Sequence, residues 1–289
     1  MGKHAIACLT LIVLLAGCSS EKRVVVGAKN FTEQNVLGEI VAQHVENRLH
    51  QPVKRMLNLG GTLLAYKAIL AGDIDVYPEY TGTAYTNVLK RTPIADPPLV
   101  LAQLRSVYKA SKLEWLDPLG FNNSYAMVVR GEDARARRLQ TLTDAANDPA
   151  GFELGAGFEF QDRPDGYRLL TSNYAIKWKA NPKSMDLSLL YQALLQKQVD
   201  LVAASATDGI LAVMDFKVLQ DDKKIFPPYQ ACLVARTEAL ALHPGLRGAL
   251  TQLSGKLSED TIRKLNYEVD GKHRPVPDVA REFLKVSGL

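Results

Sequence analysis

The chain has 289 residues, with 35 Lys and Arg against 31 Asp and Glu, a formal net charge of +4 and 47% hydrophobic residues. That length suits one large domain or two modest lobes, and the composition is ordinary for a soluble globular protein. The basic residues are scattered, which argues against a nucleic-acid-binding stripe. The one short basic cluster, Arg135-Ala-Arg-Arg138, reads as a solvated surface.

The first residues read as a targeting segment. A positive start at Lys3 precedes an apolar run over 5–15 that is too short to span a membrane as a stop-transfer helix. Leu15-Ala-Gly-Cys18 then resembles a bacterial lipobox. The resemblance implies cleavage before Cys18 and lipidation of its thiol, with 1–17 a lipoprotein signal peptide and 18–22 a tether. The mature protein is then expected to be held by its lipid anchor rather than to cross the membrane. Of the three cysteines, Cys8 leaves with the signal and Cys18 is modified, so Cys232 is left alone in an apolar run. No disulfide framework is possible, and Cys232 reads as a small core residue.

A continuous apolar run over 23–27 predicts a buried parallel strand. A turn over 28–31 follows, then Thr32 as the expected N-cap of a helix carrying Val36, Leu37, Ile40, Val41, Val45 and Leu49 in phase. Lys29 lies between strand end and helix start, a position that suits an anion, but a lone loop lysine reads first as a solvated charge. A strand over 53–59, a Gly60-Gly61-Thr62 turn and a helix over 63–71 come next. Gly72 suits a left-handed helix stop, and 74–77 reads as a short buried strand that Pro78 is expected to end. Tyr80, Thr81 and Thr83 then fall just beyond the strand's carboxyl end, where open α/β sheets bind ligands. A Pro-rich loop over 92–98 leads to a helix over 99–112. The extended run 115–129 predicts a first crossing between lobes. A strand over 152–156 precedes a polar loop over 157–166 that holds Glu159 and Arg163. Helices over 167–174 and 188–196, a strand over 199–203 and strand pieces over 216–219 and 224–226 follow. The extended run 227–235 predicts a return crossing, and the remainder is helical.

The chain echoes itself. Ala68-Ile-Leu-Ala-Gly-Asp-Ile-Asp-Val aligns with Ala193-Leu-Leu-Gln-Lys-Gln-Val-Asp-Leu, which matches Asp75 to Asp200 and the turn after Tyr80 to the turn after Ser205. Val26-Gly-Ala aligns with Leu154-Gly-Ala at nearly the same offset. The period is too long for a solenoid. It suggests two similar α/β lobes offering strand-end loops to a shared cleft.

No metal-protease, paired Cys-x-x-Cys, nucleophile-elbow or phosphate-loop pattern is present in the sequence, so an enzyme reading has little support. The strand-end segments instead carry Tyr80, Tyr125 and Tyr229 together with Lys29, Thr83 and Arg163. Aromatic faces attract cations, and Lys and Arg with a hydroxyl hold a carboxylate, so such a cleft suits a zwitterion. Taken alone, the same tyrosines read first as core residues with satisfied hydroxyls.

The segments Val-Gly-Ala-Lys-Asn-Phe-Thr-Glu-Gln, Ala-Gly-Asp-Ile-Asp-Val-Tyr-Pro-Glu-Tyr-Thr-Gly-Thr, Asn-Ser-Tyr-Ala and Thr-Asp-Gly resemble the substrate-binding proteins of osmoprotectant ABC importers, over about 23–289. That family takes up glycine betaine, choline, carnitine and related quaternary amines. The resemblance implies an α/β, two-lobed type II periplasmic binding protein, with two crossing segments and a central cleft that closes by hinge motion. Lobe 1 is expected over 23–122 plus 229–289, and lobe 2 over 123–228. The resemblance places cage tyrosines at Tyr80, Tyr125 and Tyr229, carboxylate-binding residues at Lys29, Arg163 and Thr83, and an acidic residue linked to closure at Glu159. In two places the chain departs from the family pattern: Ser205 stands where a further cage tyrosine is common, and Asn123 where some relatives have an aspartate. The implied protein is a monomeric, non-enzymatic receptor in the periplasm, lipid-anchored, with an ABC permease and its ATPase as partners and no cofactor, metal or nucleic acid. Its alternatives are a sensory binding protein, or a receptor for a bulkier cationic or amino-acid-derived ligand.

Overall fold

A computed structural model describes residues 23–289. The leader, the tether and Cys18 lie outside the described residues. Ten strands form two five-stranded sheets. The strands are β1 (Val25–Gly27), β2 (Lys54–Met56), β3 (Val76–Tyr80), β4 (Leu113–Trp115), β5 (Tyr125–Arg130), β6 (Leu154–Gly157), β7 (Lys183–Met185), β8 (Leu201–Ser205), β9 (Phe216–Leu219) and β10 (Ala231–Arg236). The sheets run β2-β1-β3-β10-β4 and β7-β6-β8-β5-β9. In each, the first three strands are parallel to one another, and a strand arriving from the other half of the chain joins antiparallel. Thus β10 comes back to complete the first sheet and β5 opens the second.

The sequence echo is a structural repeat. Val26 sits opposite Val76 and Leu154 opposite Leu201, the register the two aligned segments require. The matched aspartates also do the same work. The Asp75 carboxylate accepts from the Val25 backbone N–H at 2.9 Å and from Arg236 at 3.1 Å. The Asp200 carboxylate accepts from the Glu153 N–H at 3.0 Å and from Arg130 at 3.3 Å. Each aspartate therefore pins the start of its neighbouring parallel strand, and the arginine ending the antiparallel strand neutralises it.

Pro78 does not end its strand. It lies inside β3 opposite Leu233 of β10, because β1 has already stopped at Gly27 and leaves that edge of β3 with no ladder for a missing donor to break. Thr32 is not a cap either. Phe31 takes the N-cap position of α1 (Thr32–Leu49), and the Thr32 hydroxyl donates to Asp270 instead. The expected strand at 53–59 shortens to β2, and 224–226 forms no strand. The polar loop at 157–166 contains a short helix, Phe158–Asp162, and 188–196 opens as a 3-10 turn before the helix Leu190–Leu195.

Each sheet has its own cores. One face of the first sheet packs on α1 and the C-terminal helices through Ile40, Val41, Leu233 and Phe283. Its other face packs on Ile69, Tyr77, Leu104 and Trp115. Phe152, Leu154, Leu170 and Leu201 form the main core of the second sheet. The two crossing segments lie side by side. Asn123 N–H donates to the Tyr229 carbonyl at 3.0 Å, and Ala231 N–H to the Phe121 carbonyl at 3.1 Å. Cys232 is buried in β10, and burial pushes its thiol up to about 12, which fits an inert core residue.

Candidate functional site

The carboxyl ends of β1, β3, β6 and β8 face one another between the lobes and bring the expected residues together. On the turn after β1, Lys29 Nζ lies 2.5 Å from Glu79 Oε1, with both side chains buried. Its ammonium sits 5.3 Å from the Tyr80 ring centroid. Burial lowers the Lys29 pKa; Glu79 opposes this, and Arg163 adds a smaller push in the same direction as burial. Lys29 is thus no solvated loop charge.

From the other lobe, Arg163 grips Asp165 through Nε at 2.8 Å and Nη2 at 2.7 Å, and Nη2 also donates to the Thr83 hydroxyl at 3.1 Å. Asp165 further accepts from Thr86 at 2.7 Å and from the Tyr229 hydroxyl at 2.8 Å. Burial pushes the Asp165 carboxyl up, but Arg163 and these donors outweigh it and hold it below its usual value. A π-helical turn at Ala84–Val88, directly after Thr83, carries Thr86 to this contact.

The aromatic residues form one group. Tyr125 lies edge-on to Tyr229 at 5.8 Å between centroids and to Phe160 at 5.0 Å, and it is tilted against Phe226 at 5.3 Å. Arg163 stands 5.5 Å over the Tyr125 ring. Tyr80 stacks on Phe31 at 6.4 Å. The tyrosine hydroxyls of 80 and 229 are satisfied by carboxylates, as a core reading requires, and both rings are buried beside the charged groups of the junction.

At the position of the absent fourth tyrosine is a hydrogen-bonded polar patch. The Ser205 hydroxyl donates to Asn123 Oδ1 and lies 3.0 Å from the Thr207 hydroxyl. Both neighbours then donate to Glu33, Asn123 at 2.8 Å and Thr207 at 2.5 Å. Glu33 also accepts from Tyr80 at 2.6 Å and Asn266 at 3.2 Å. Burial raises the Glu33 pKa against these four donors. Unlike Glu79 and Asp165, its carboxylate has no lysine or arginine bound to it among the described residues.

Glu159 reaches across the cleft. Its Oε1 accepts from the Thr62 backbone N–H at 3.0 Å, at the start of helix α2 (Thr62–Ala71). The N-cap of α2 is Gly61, which has no side chain to cap with, so a residue of the other lobe supplies the missing acceptor. A Cβ on Gly61 would fall 1.8 Å from Glu159 Oε1, so the latch needs glycine there.

All nine expected ligand-site residues lie at this junction. Sequence reasoning missed Glu33, Glu79, Thr86 and Thr207. Glu33 was findable: it lies three and four residues before Val36 and Leu37, on the apolar stripe of α1. A carboxylate on a buried face needs a polar partner, and here it bridges the lobes.

Asp208 accepts from Tyr191 at 2.7 Å and from the Ser205 N–H at 3.1 Å, and the enclosure of its carboxylate, with lesser pushes from Glu33 and Asp270, raises its pKa to about 7. Its unfolded value is near 3.8. Its contribution to stability is therefore full below about pH 4 and lost as pH rises through about 7. Asp208→Asn keeps an acceptor and removes the charge. Thermal melts from pH 5 to 8 should show a flatter stability profile for this variant, with the gain over the parent largest at pH 8.

The family model described as the substrate binding domain of ABC-type glycine betaine transport systems matches residues 22–286. The chain is 35% identical over 270 residues to an ergothioneine transport permease/ergothioneine binding protein of Helicobacter pylori, covering 93% of this chain and 48% of that protein. It therefore spans about half the length of that relative. It is 34% identical over 272 residues to a carnitine transport binding protein of Listeria monocytogenes, covering 93% of this chain and 88% of that one. A crystal structure titled as a glycine betaine/carnitine/choline ABC transporter superposes with a TM-score of 0.77 at 33% identity, over 92% of this chain and 98% of that one.

Proposed function

The chain belongs to the family of substrate-binding domains of ABC-type glycine betaine transport systems, and on that premise we propose that its cleft holds a zwitterionic quaternary amine such as glycine betaine for delivery to an ABC permease and its ATPase. The observation that carries this reading is the meeting of Lys29 and Arg163 from opposite lobes beside three tyrosine rings. In this structure Glu79 pairs with Lys29 and Asp165 with Arg163, and Arg163 adds a smaller push on Lys29 toward its neutral form. A ligand carboxylate reaching both cations adds charge-assisted bonds, each contributing about 1.5–3 kcal/mol. Lys29 and Arg163 already stand over Tyr80 and Tyr125, and the ring surface that these two and Tyr229 leave to the ammonium head contributes about 0.5–2 kcal/mol for a well-placed ring. Glu33, which has no cation of its own among the described residues, adds a negative potential at that end. Glu159 then fastens the lobes by capping α2.

The receptor is extracytoplasmic, as importer binding proteins are. We place it on a bacterial membrane through lipid on Cys18, acting as a monomer, with lobes over 23–122 plus 229–289 and over 123–228. Among the described residues no helix is long and apolar enough to cross a membrane.

One observation favours a second ligand. The polar patch of Ser205, Asn123 and Thr207 leaves hydrogen-bonding groups where an aromatic wall is expected. A bulkier betaine with a polar side chain, of which ergothioneine is one, would use that patch better than glycine betaine does.

Glycine betaine and choline test the acid-group assignment, because they share the trimethylammonium head and differ in the carboxylate. Thr83→Val preserves shape and removes the hydroxyl. It is expected to weaken glycine betaine several-fold, the loss of about one hydrogen bond, and to leave choline unchanged in calorimetric titrations. Equal weakening of both ligands would remove Thr83 from the carboxylate site.

A further inference from the structure

We propose that the cleft carries a second closure latch besides Glu159, in which the turn Thr207-Asp208-Gly209 seats on the helix Glu259–Asp270 and Gly209, which faces that helix, sets ligand affinity through closure. The inference rests on the reading of the cleft as one that closes over a solute. The helix belongs to the first lobe, where Ile262 and Leu265 enter the core beside α1. The turn belongs to the second lobe, directly after β8. Between them, Arg263 Nε donates to the Ala206 carbonyl at 3.0 Å and Asn266 Nδ2 to the Thr207 carbonyl at 3.0 Å. Glu33 is the shared acceptor. It takes Tyr80 and Asn266 from one lobe, Thr207 from the other, and Asn123 from the crossing segment.

Gly209 explains why the seat is so close. A Cβ there would lie 2.4 Å from the Tyr267 backbone nitrogen and 2.7 Å from the Arg263 carbonyl oxygen, both main-chain atoms of a packed helix that cannot swing aside. Gly209 has no left-handed φ, so an alanine is conformationally acceptable within its own lobe. The conflict exists only when the lobes are together. This contact is separate from the one Glu159 makes with Thr62, so the two lobes are joined at two points.

In this arrangement the latch contributes to the closed-state population, and the apparent dissociation constant scales inversely with that population. Gly209→Ala is therefore expected to weaken every ligand that the parent binds, among glycine betaine, choline, carnitine and ergothioneine, by a common factor of roughly tenfold or more. The loss should appear as faster dissociation, with the ranking of ligands preserved. Asn266→Ala, which removes one cross-lobe bond, to the Thr207 carbonyl, and one bond to Glu33 within the first lobe without adding bulk, should show the same pattern with a smaller factor. Hydrogen exchange reads the latch without a ligand: peptides covering 205–209 and 259–270 should exchange faster in Gly209→Ala, while β6 and β8 remain protected as in the parent. A parent that binds none of the four compounds would overturn the ligand reading, and the exchange comparison then decides the latch alone. Unchanged exchange in both segments, with any measurable affinity within twofold of the parent, would overturn the latch. A change in ligand ranking would also overturn it, because it would place Gly209 in the binding pocket itself.

Discussion

Arg163→Ala is expected to lower the unfolding free energy by about 3–5 kcal/mol, the usual cost of leaving a buried charge without its partner, and to abolish binding of carboxylate-bearing ligands. Asp165 is the reason for the first effect. Its side chain is fully buried, and the guanidinium holds it with two bonds. Thr86 and Tyr229 supply hydrogen bonds but no charge. The second effect follows from position, since Arg163 is the cation that the second lobe brings toward Lys29. The two effects separate in the double variant Arg163→Ala/Asp165→Asn. Removing both charges should recover much of the stability in urea titrations, while binding stays lost. Recovery of binding along with stability would show that Arg163 serves the fold and not the ligand. Arg163→Lys should behave as a binding-deficient variant too, because an ammonium cannot reproduce the paired Nε and Nη2 contacts to Asp165.

Tyr80→Ala should cost both stability and affinity. The ring is 5% exposed and contacts Phe31, and its hydroxyl is one of four donors to Glu33. Truncation of a buried aromatic typically costs about 3–5 kcal/mol. Loss of a desolvated cation–π contact of about 2 kcal/mol corresponds to a roughly thirtyfold weaker cation. Tyr80→Phe isolates the ring from the hydroxyl. It should retain affinity within several-fold, and its melting temperature should fall modestly because Glu33 loses a donor in a buried site. If Tyr80→Phe were as weak as Tyr80→Ala, the hydroxyl and not the ring face would be the determinant, and the aromatic-cage assignment at this position would fail.

Much of this arrangement is legible in the sequence, because it depends on local rules. The echo of Asp75 in Asp200 predicted two lobes, and both aspartates make the same pair of bonds. The turn at Lys29 reads on its own as a solvated charge, and only the resemblance puts it with Thr83; the structure buries it against Glu79. Other features depend on pairings that no local window contains. Pro78 reads as a strand terminator until the short reach of β1 is known. Thr32 reads as a cap until Asp270, far along the chain, takes its hydroxyl. Gly61 reads as a loose turn, yet it leaves room for Glu159 from the other lobe. Glu33 stands at a helix start, where a negative charge is ordinary, and only the donors from Thr207, Asn123 and Asn266, far along the chain, show what it holds.

The central claim, that the cleft binds a quaternary amine bearing an acid group, is tested most directly by isothermal titration of residues 19–289 with glycine betaine, choline, carnitine, proline betaine and ergothioneine. The account predicts saturable binding of at least one carboxylate-bearing compound, tighter than choline and weakened by Tyr80→Ala. Folded protein that gives no heat with any of them, or that binds choline more tightly than every zwitterion, would contradict it.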